Sequence, residues 1–315
     1  MKVDNIIDRV VELKALHDKA IPDRDKFRRI INGGTEGIQA LLGANAAMGS
    51  GDLPAPNLLL SALDRIAQKI GRVPNLEIPL SVNKDSVRAK DRRDKLERII
   101  HAYDDHQDLH MQLPQIGRWL PGYGFVVWTI QTKHDPNGKP YPCAVLRDPY
   151  DCYPGYYGTA QQPEELGVIR RIPESDLVQM YPELKGYFNT KNKRKAPGGV
   201  PITGTASISS PDEERWESSR GGEVVVEYMN ELGTHVVHVA SRKIVDFVPN
   251  PLKSGPAFVV AKRFSFDALQ GQFDQVIGLM SAMAKINIMS VIAMEDAVFT
   301  ETNIVGELES GKYRK

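Results

Sequence analysis

Cysteine is almost missing from this chain: Cys143 and Cys152 are the only two in 315 residues. They form neither a CxxC pair nor a spaced framework, which excludes a disulfide-stapled secreted domain. Two inert packed thiols are the plain reading. Net charge is missing too, since 40 Lys and Arg balance 40 Asp and Glu. That balance argues against a histone-like or polybasic coat for nucleic acid, while leaving room for a protein that handles DNA through a local surface. The opening residues carry Lys2, Asp4 and Asp8 where a signal peptide needs an apolar core, so no targeting segment is expected. An uninterrupted apolar run is also lacking. The most apolar stretch, 276–294, holds Lys285 and Asn287 near its middle, with Gly278, Ser281 and Ser290 around them. Spanning a bilayer would bury that lysine at a cost of ~3 kcal/mol or more, so no membrane partner is expected.

The motifs of catalysis are lacking as well. Gly33-Gly34-Thr35-Glu36-Gly37 is glycine-rich, but no strand precedes it and it has neither a Walker lysine nor GxGxxG spacing. There is no GxSxG elbow and no recognisable Cys–His pair. Carboxylate pairs such as Asp104-Asp105 and Glu213-Glu214 are neighbours in sequence and need not converge. With no nucleophile accompanied by its base and orienting group, the chain is not expected to be an enzyme or to bind a cofactor.

What is present is ordinary globular material, 41% hydrophobic and 25% charged, enough to bury a core without metals or disulfides. Its length sets a prior of about two domains. Helical spacing of apolar residues marks 3–20, then 23–40 with an interruption at Gly33-Gly34, then 56–70 closed by Gly71. A short strand is expected over 74–82. One long helix is expected over 85–113, with Leu96, Ile99, Ile100, Tyr103, Leu109 and Leu113 inward. From Gly122 the period changes to two, with strands expected near 125–130, 143–146, 152–157 and 166–172. A brief helix should follow over 173–181. Residues 189–222 are rich in Gly, Pro, Ser and Thr and read as a mobile loop or arm. A meander over 223–248 and a strand at 257–264 lead to a helix at 272–298 and a last strand at 303–305. Helices, then strands, then a helix is an α+β order rather than an alternating βα rhythm.

Three clusters invite a chemical reading. His101/Asp105 and His106/His110 are i,i+4 pairs on a single helix, which is metal-ligand spacing and allows a metal-dependent nuclease or hydrolase built on residues 101–110. No HExxH and no distant third ligand accompany them, and the helix needs a polar face in any case, so a solvated face is preferred. Lys191, Lys193, Arg194 and Lys195 form a basic run that a nucleic-acid-binding or non-ring virion adaptor could use. Tyr141, Tyr150, Tyr153, Tyr156 and Tyr157 could stack bases, but packing of sheets or subunits is the commoner use of such tyrosines. The last long helix says more. Phe273, Val276, Ile277, Met280, Met283, Ile288 and Val291 leave it little polar face, and four of the chain's nine methionines lie on it. A helix apolar nearly all round has to be buried on several sides, in a core or between subunits.

In order, these segments resemble the portal proteins of tailed bacteriophages. The resemblance runs from Val3 to Gly306. It is carried by Pro56-Asn57-Leu58 through Ile70, and by Leu120-Pro121-Gly122-Tyr123-Gly124 before Val126-Val127-Trp128. Arg147-Asp148-Pro149-Tyr150, Tyr181-Pro182-Glu183-Leu184, and Phe273-Asp274-Gln275 leading to Asn303-Ile304-Val305-Gly306 extend it. It implies a structural ring subunit, typically one of twelve, at one capsid vertex. Such a ring passes double-stranded DNA in packaging and ejection, docks the terminase and then adaptor or head-completion proteins, and contacts scaffold and major capsid proteins. Its place is the virion, after assembly in the host cytoplasm. On that pattern residues 1–121 form the helical part of an outer wing and 122–264 its β-rich part. Residues 265–315 carry a long, apolar, stem-like helix beside the channel. Lys285, Lys312, Arg314 and Lys315 are then the DNA-proximal cations. The chain ends where many portals continue.

Overall fold

The computed structural model describes residues 2–42, 58–71, 78, 87–134, 138–156, 162–194, 222–252, 255–263, 269 and 271–298. The strands expected at 74–82 and 303–305 lie outside the described residues, apart from Ile78, as does most of 189–222. The chain divides into two compact units. One comprises Met1–Asp25 and Ser61–Gln272, the other Lys26–Leu60 and Phe273–Lys315.

The first unit is built on two antiparallel sheets. The five-stranded sheet has the order β3(Cys152–Pro154), β4(Leu166–Ile172), β5(Glu223–Met229), β6(Gly233–His238), β7(Lys243–Pro249). Strand alternation sorts its side chains. Val224, Val226, Tyr228 and Val237 point to one face, where Ile6, Val10 and Leu13 of α1(Val3–Ala15) cover them. The 4-3 spacing of those three residues gives α1 one apolar stripe, and all three are fully buried. Each such burial contributes ~1.5–3 kcal/mol. Gly167 lets the helix come close, since a Cβ there would lie 3.0 Å from Val10 Cγ1. On the opposite face Val225 and Val236 pack with Leu177 of α7(Glu174–Met180), with Leu184 in the turn after it, and with Phe188 of α8(Lys185–Arg194).

The smaller sheet has the order β2(Pro140–Arg147), β1(Phe125–His134), β8(Phe258–Lys262). Phe125, Val126 and Val127 in its middle strand are fully buried, which is why the sequence there is apolar without alternation. Gly124 launches β1. At φ 83 it caps α6(Leu109–Tyr123), and its N–H donates to Leu120 O at 3.0 Å. α6 in turn packs on α4(Leu58–Ile70), where a Cβ on Gly117 would lie 2.8 Å from Ala67 Cα.

The helix expected over 85–113 is two helices. α5(Val87–His106) ends, Asp108 turns the chain at φ 49, and α6 begins at Leu109. α5 buries none of its residues: Leu96, Ile99 and Tyr103 of the expected inner stripe are each about two-fifths exposed (40%, 42% and 38%). The interruption at Gly33-Gly34 divides α2(Ile21–Asn32) from α3(Gly34–Leu42), and both glycines have positive φ.

In the second unit α9(Asp274–Val298) lies along α3, and Ser281 Oγ donates to the Leu41 carbonyl. Phe273 and Ile277 are buried, with Met280, Ala284 and Ile288 half-buried on the same side. Here the expectation fails. The chain is α+β with two antiparallel sheets, but a portal-like subunit with an apolar, stem-like helix is not what forms. Among the described residues no helix is long and apolar enough to cross a membrane. α9 buries Ile277 and half-buries Met280, Ser281, Ala284 and Ile288, and its exposed residues are mixed, with Gln275, Lys285, Asn287 and Ser290 among them. One buried stripe suffices to hold it.

Candidate functional site

The histidine–aspartate cluster does not converge. His101 and Asp105 are exposed on α5, while His106 closes α5 and His110 belongs to α6, on the far side of the Asp108 turn. The i,i+4 relation of His106 and His110 is therefore lost, and His106 packs edge-on against Tyr141 at 4.8 Å instead. Among the described residues no group of three or more His, Cys, Asp or Glu is placed to hold a metal ion. Of the basic run, Lys191, Lys193 and Arg194 lie on the last turn of α8, so the helix runs into the expected loop; Lys195 lies outside the described residues.

The structure assembles polar groups that sequence reasoning did not single out. Glu227 on β5 is buried beneath two arginines. Arg147 Nη2 of β2 donates to it at 3.2 Å, and Arg170 Nη2 of β4 donates to its other oxygen. Arg147 Nε also donates to the hydroxyl of buried Thr129 at 2.9 Å. This ionic centre ties the two sheets together. Cys152 is buried near it, and burial pushes its thiol well above the ordinary range, so it behaves as packing.

A second cluster joins the α1–α2 corner to both sheets. His17 Nε2 lies 2.8 Å from Pro154 O, and a carbonyl only accepts, so Nε2 carries the proton. Nδ1 then accepts from Arg24 Nη2 at 3.1 Å, while the Arg24 guanidinium lies 4.7 Å from the centre of the Phe125 ring. Burial, then the Arg24 charge, push the imidazole down to about 4.

Ser241, His238 and Glu223 form a third group. Ser241 Oγ is 2.7 Å from His238 Nδ1, and His238 Nε2 is 3.5 Å from Glu223 Oε2. The imidazole is wholly buried between Tyr187 and Phe188, and Ser241 also reaches the His238 carbonyl across the β6–β7 turn. A ring that no substrate can touch is not a usable base; the group fastens the hairpin to α8.

The sheet edges carry features that discourage further strands. On β2, Pro140 and Pro142 lack N–H groups and Ala144 N–H donates to Gln107 Oε1 at 3.3 Å. On β8, Val260 N–H donates to Gln162 Oε1 at 2.9 Å. β7 carries Lys243, Asp246, a terminal Pro249 and a bulge opposite Val236/Val237, and β3 is three residues long. These are the usual devices against edge-to-edge pairing.

The expected subunit-packing residues divide between two sides of α9. Phe273 and Ile277 are buried and Met280 and Ile288 half-buried, whereas Val276 and Met283 are exposed at 40% and 45%. Leu279, Ile286, Met289 and Met294 join them in solvent. Lys285 is exposed, the Val291 side chain is not described, and Lys312, Arg314 and Lys315 lie outside the described residues. No protein-family model matches this chain, and a search of curated proteins finds no match.

Proposed function

We propose that this chain is a structural subunit of a closed ring of the kind that conducts double-stranded DNA at a phage capsid vertex. The observation that carries the reading is where the exposed apolar surface lies. Val276, Leu279, Met283, Ile286, Met289 and Met294 stand in water along one helix, in addition to Ile244, Phe247 and Val248 on the edge strand β7. Apolar side chains gathered in this way mark a surface that another chain covers. The polar clusters support the same reading by their placement, for each is buried and holds elements together.

The charge balance suits a conduit. Each phosphate neutralised by a lysine or arginine adds salt-dependent affinity, so a strongly basic channel would hold its cargo rather than pass it. A chain with 40 charges of each sign has no such excess. On this reading the other partners are a terminase, head-completion, scaffold and major capsid proteins, and the place of action is the virion. Negative-stain electron microscopy of the purified full chain tests it. Rings with a central channel are the expected image; a field of single subunits at high protein concentration overturns the reading.

A further inference from the structure

Between α1 and α2 the chain turns a corner, residues 16–25, whose two buried residues, His17 and Arg24, are both polar. Leu16 at the turn is 62% exposed, and Ile21 is half-buried against the α1 cluster. The backbone hydrogen bonds of the corner are local: His17 N–H donates to Lys14 O, Ala20 and Ile21 N–H to His17 O, and Arg24 N–H to Ala20 O. Side chains make the contacts with the rest of the unit. His17 Nε2 donates to Pro154 O at 2.8 Å, Arg24 lies over the Phe125 ring, and the Tyr150 hydroxyl donates to Asp25 Oδ1 at 3.4 Å. α1 is fastened differently, by Ile6, Val10 and Leu13 in the apolar core.

The site accepts the His17 ring in one protonation state. Nε2 needs its proton for the Pro154 carbonyl, and Nδ1 needs its lone pair for Arg24 Nη2 at 3.1 Å. A second proton, on Nδ1, would face an N–H that has no lone pair to accept it. The hydrogen bond becomes a contact of two donors and two cations, and a guanidinium does not shed a proton to relieve it. His17 is 9% exposed and Arg24 5%, so water screens the pair poorly. Burial, then the Arg24 charge, hold the imidazole neutral down to about 4. The other titratable groups around the pair are Asp18 on the turn, Asp25 on α2, Tyr150 and Asp151 before β3, and Cys152 and Tyr153 on β3. Burial keeps the Cys152 thiol and the Tyr153 hydroxyl protonated throughout this range. The carboxylates soften the repulsion but cannot make Arg24 an acceptor.

We propose that the α1–α2 corner is an acid-operated latch: a proton on His17 Nδ1 meets the Arg24 guanidinium, and residues 16–25 leave the sheets while α1 and the sheets stay folded. The proposal does not depend on the ring reading. The opening is local because the corner buries little apolar surface, and such segments open at lower free energy than the core. The closed corner is fully favoured above pH 6.5, where a free imidazole is neutral, and loses ground as pH falls towards 4, by up to about tenfold in the closed-to-open ratio per pH unit.

Hydrogen exchange of the full chain, read by mass spectrometry at pH 7 and pH 4.5 and corrected for intrinsic exchange rates, tests this. Protection of peptides covering 17–25 should fall at least about tenfold at pH 4.5, while peptides from α1 and β5 keep theirs. His17→Gln, whose amide gains no proton, should keep the corner protected at both pH values. Nitrogen-15 spectra of the imidazole in the unaltered chain give a reading that needs no variant: the Nε2–H tautomer at pH 7, and a doubly protonated ring that appears together with the loss of protection. A corner that stays protected at pH 4.5 overturns the latch. Protection lost equally from α1 and β5 means general unfolding and also overturns it. Opening that persists in a folded His17→Gln chain assigns the effect to the carboxylates and removes His17 from it.

Discussion

Arg147 on β2 donates to Glu227 on β5 at 3.2 Å, and that contact joins the three-stranded sheet to the five-stranded one. The Glu227 side chain is 4% exposed and that of Arg147 11%, so neither charge has water to fall back on. Removing one partner of a buried pair leaves an uncompensated charge and costs about 3–5 kcal/mol. Glu227→Ala should therefore destabilise the chain by about that amount, because it strands both Arg147 and Arg170. Urea unfolding of Glu227→Ala, Arg147→Ala and the double variant measures the coupling. Additive losses would show that the two residues do not act together.

The His17 cluster sets a pH dependence. Unfolded, an imidazole takes a proton near pH 6.5; folded, this one resists until about 4, because it is buried beside Arg24. Between those values the unfolded chain binds the extra proton, so stability rises with pH. The contribution is complete above 6.5 and is lost as pH falls towards 4, on the order of 3 kcal/mol in all. Urea midpoints taken from pH 4 to 7 should show this slope, and His17→Gln should flatten it. A variant with the same slope as the parent assigns the effect elsewhere.

The α4–α6 crossing depends on small residues. A Cβ at Gly117 would lie 2.8 Å from Ala67 Cα, and one at Gly71 would lie 2.9 Å from Pro114 Cα. Both obstacles are backbone and cannot swing aside. Gly117→Val should push the helices apart at a cost of about 1–3 kcal/mol. A thermal scan reads this as a lower Tm, and an unchanged Tm would mean that the crossing is looser than its geometry.

The turn at Asp108 carries backbone strain that glycine relieves. Asp108 sits at φ 49 between α5 and α6, and no side-chain hydrogen bond caps α6 from it. Asp108→Gly should leave stability unchanged or raise it by up to about 1 kcal/mol, whereas Asp108→Val should lower it. Denaturant midpoints of the two variants should move in opposite directions or diverge by that amount.

Much of the architecture could be read from spacing alone. The 4-3 rhythm of Ile6, Val10 and Leu13, the alternation of 223–228, and the positive-φ glycines at 33 and 34 are local signals, and helices, strands and breaks form where they point. The failures share one cause, which is that a local pattern does not say what lies opposite. Leu96, Ile99 and Tyr103 have the spacing of an inward stripe, yet nothing in the described chain buries them. A histidine pair at i,i+4 shares a helix only if the helix continues, and Asp108 ends it. Glu227 reads as an ordinary strand glutamate because its partners, Arg147 and Arg170, are 80 and 57 residues away.

By itself the sequence determined the α+β class and the absence of net charge, because these depend on residue type and period. Only the tertiary structure decided which side of α9 is buried and which is exposed. Phe273, Val276, Ile277, Met280 and Met283 are all apolar, so spacing cannot rank them; in the folded chain Phe273 and Ile277 are buried and Val276 and Met283 are exposed. Burial belongs to a pair of surfaces, and a sequence presents only one of them at a time.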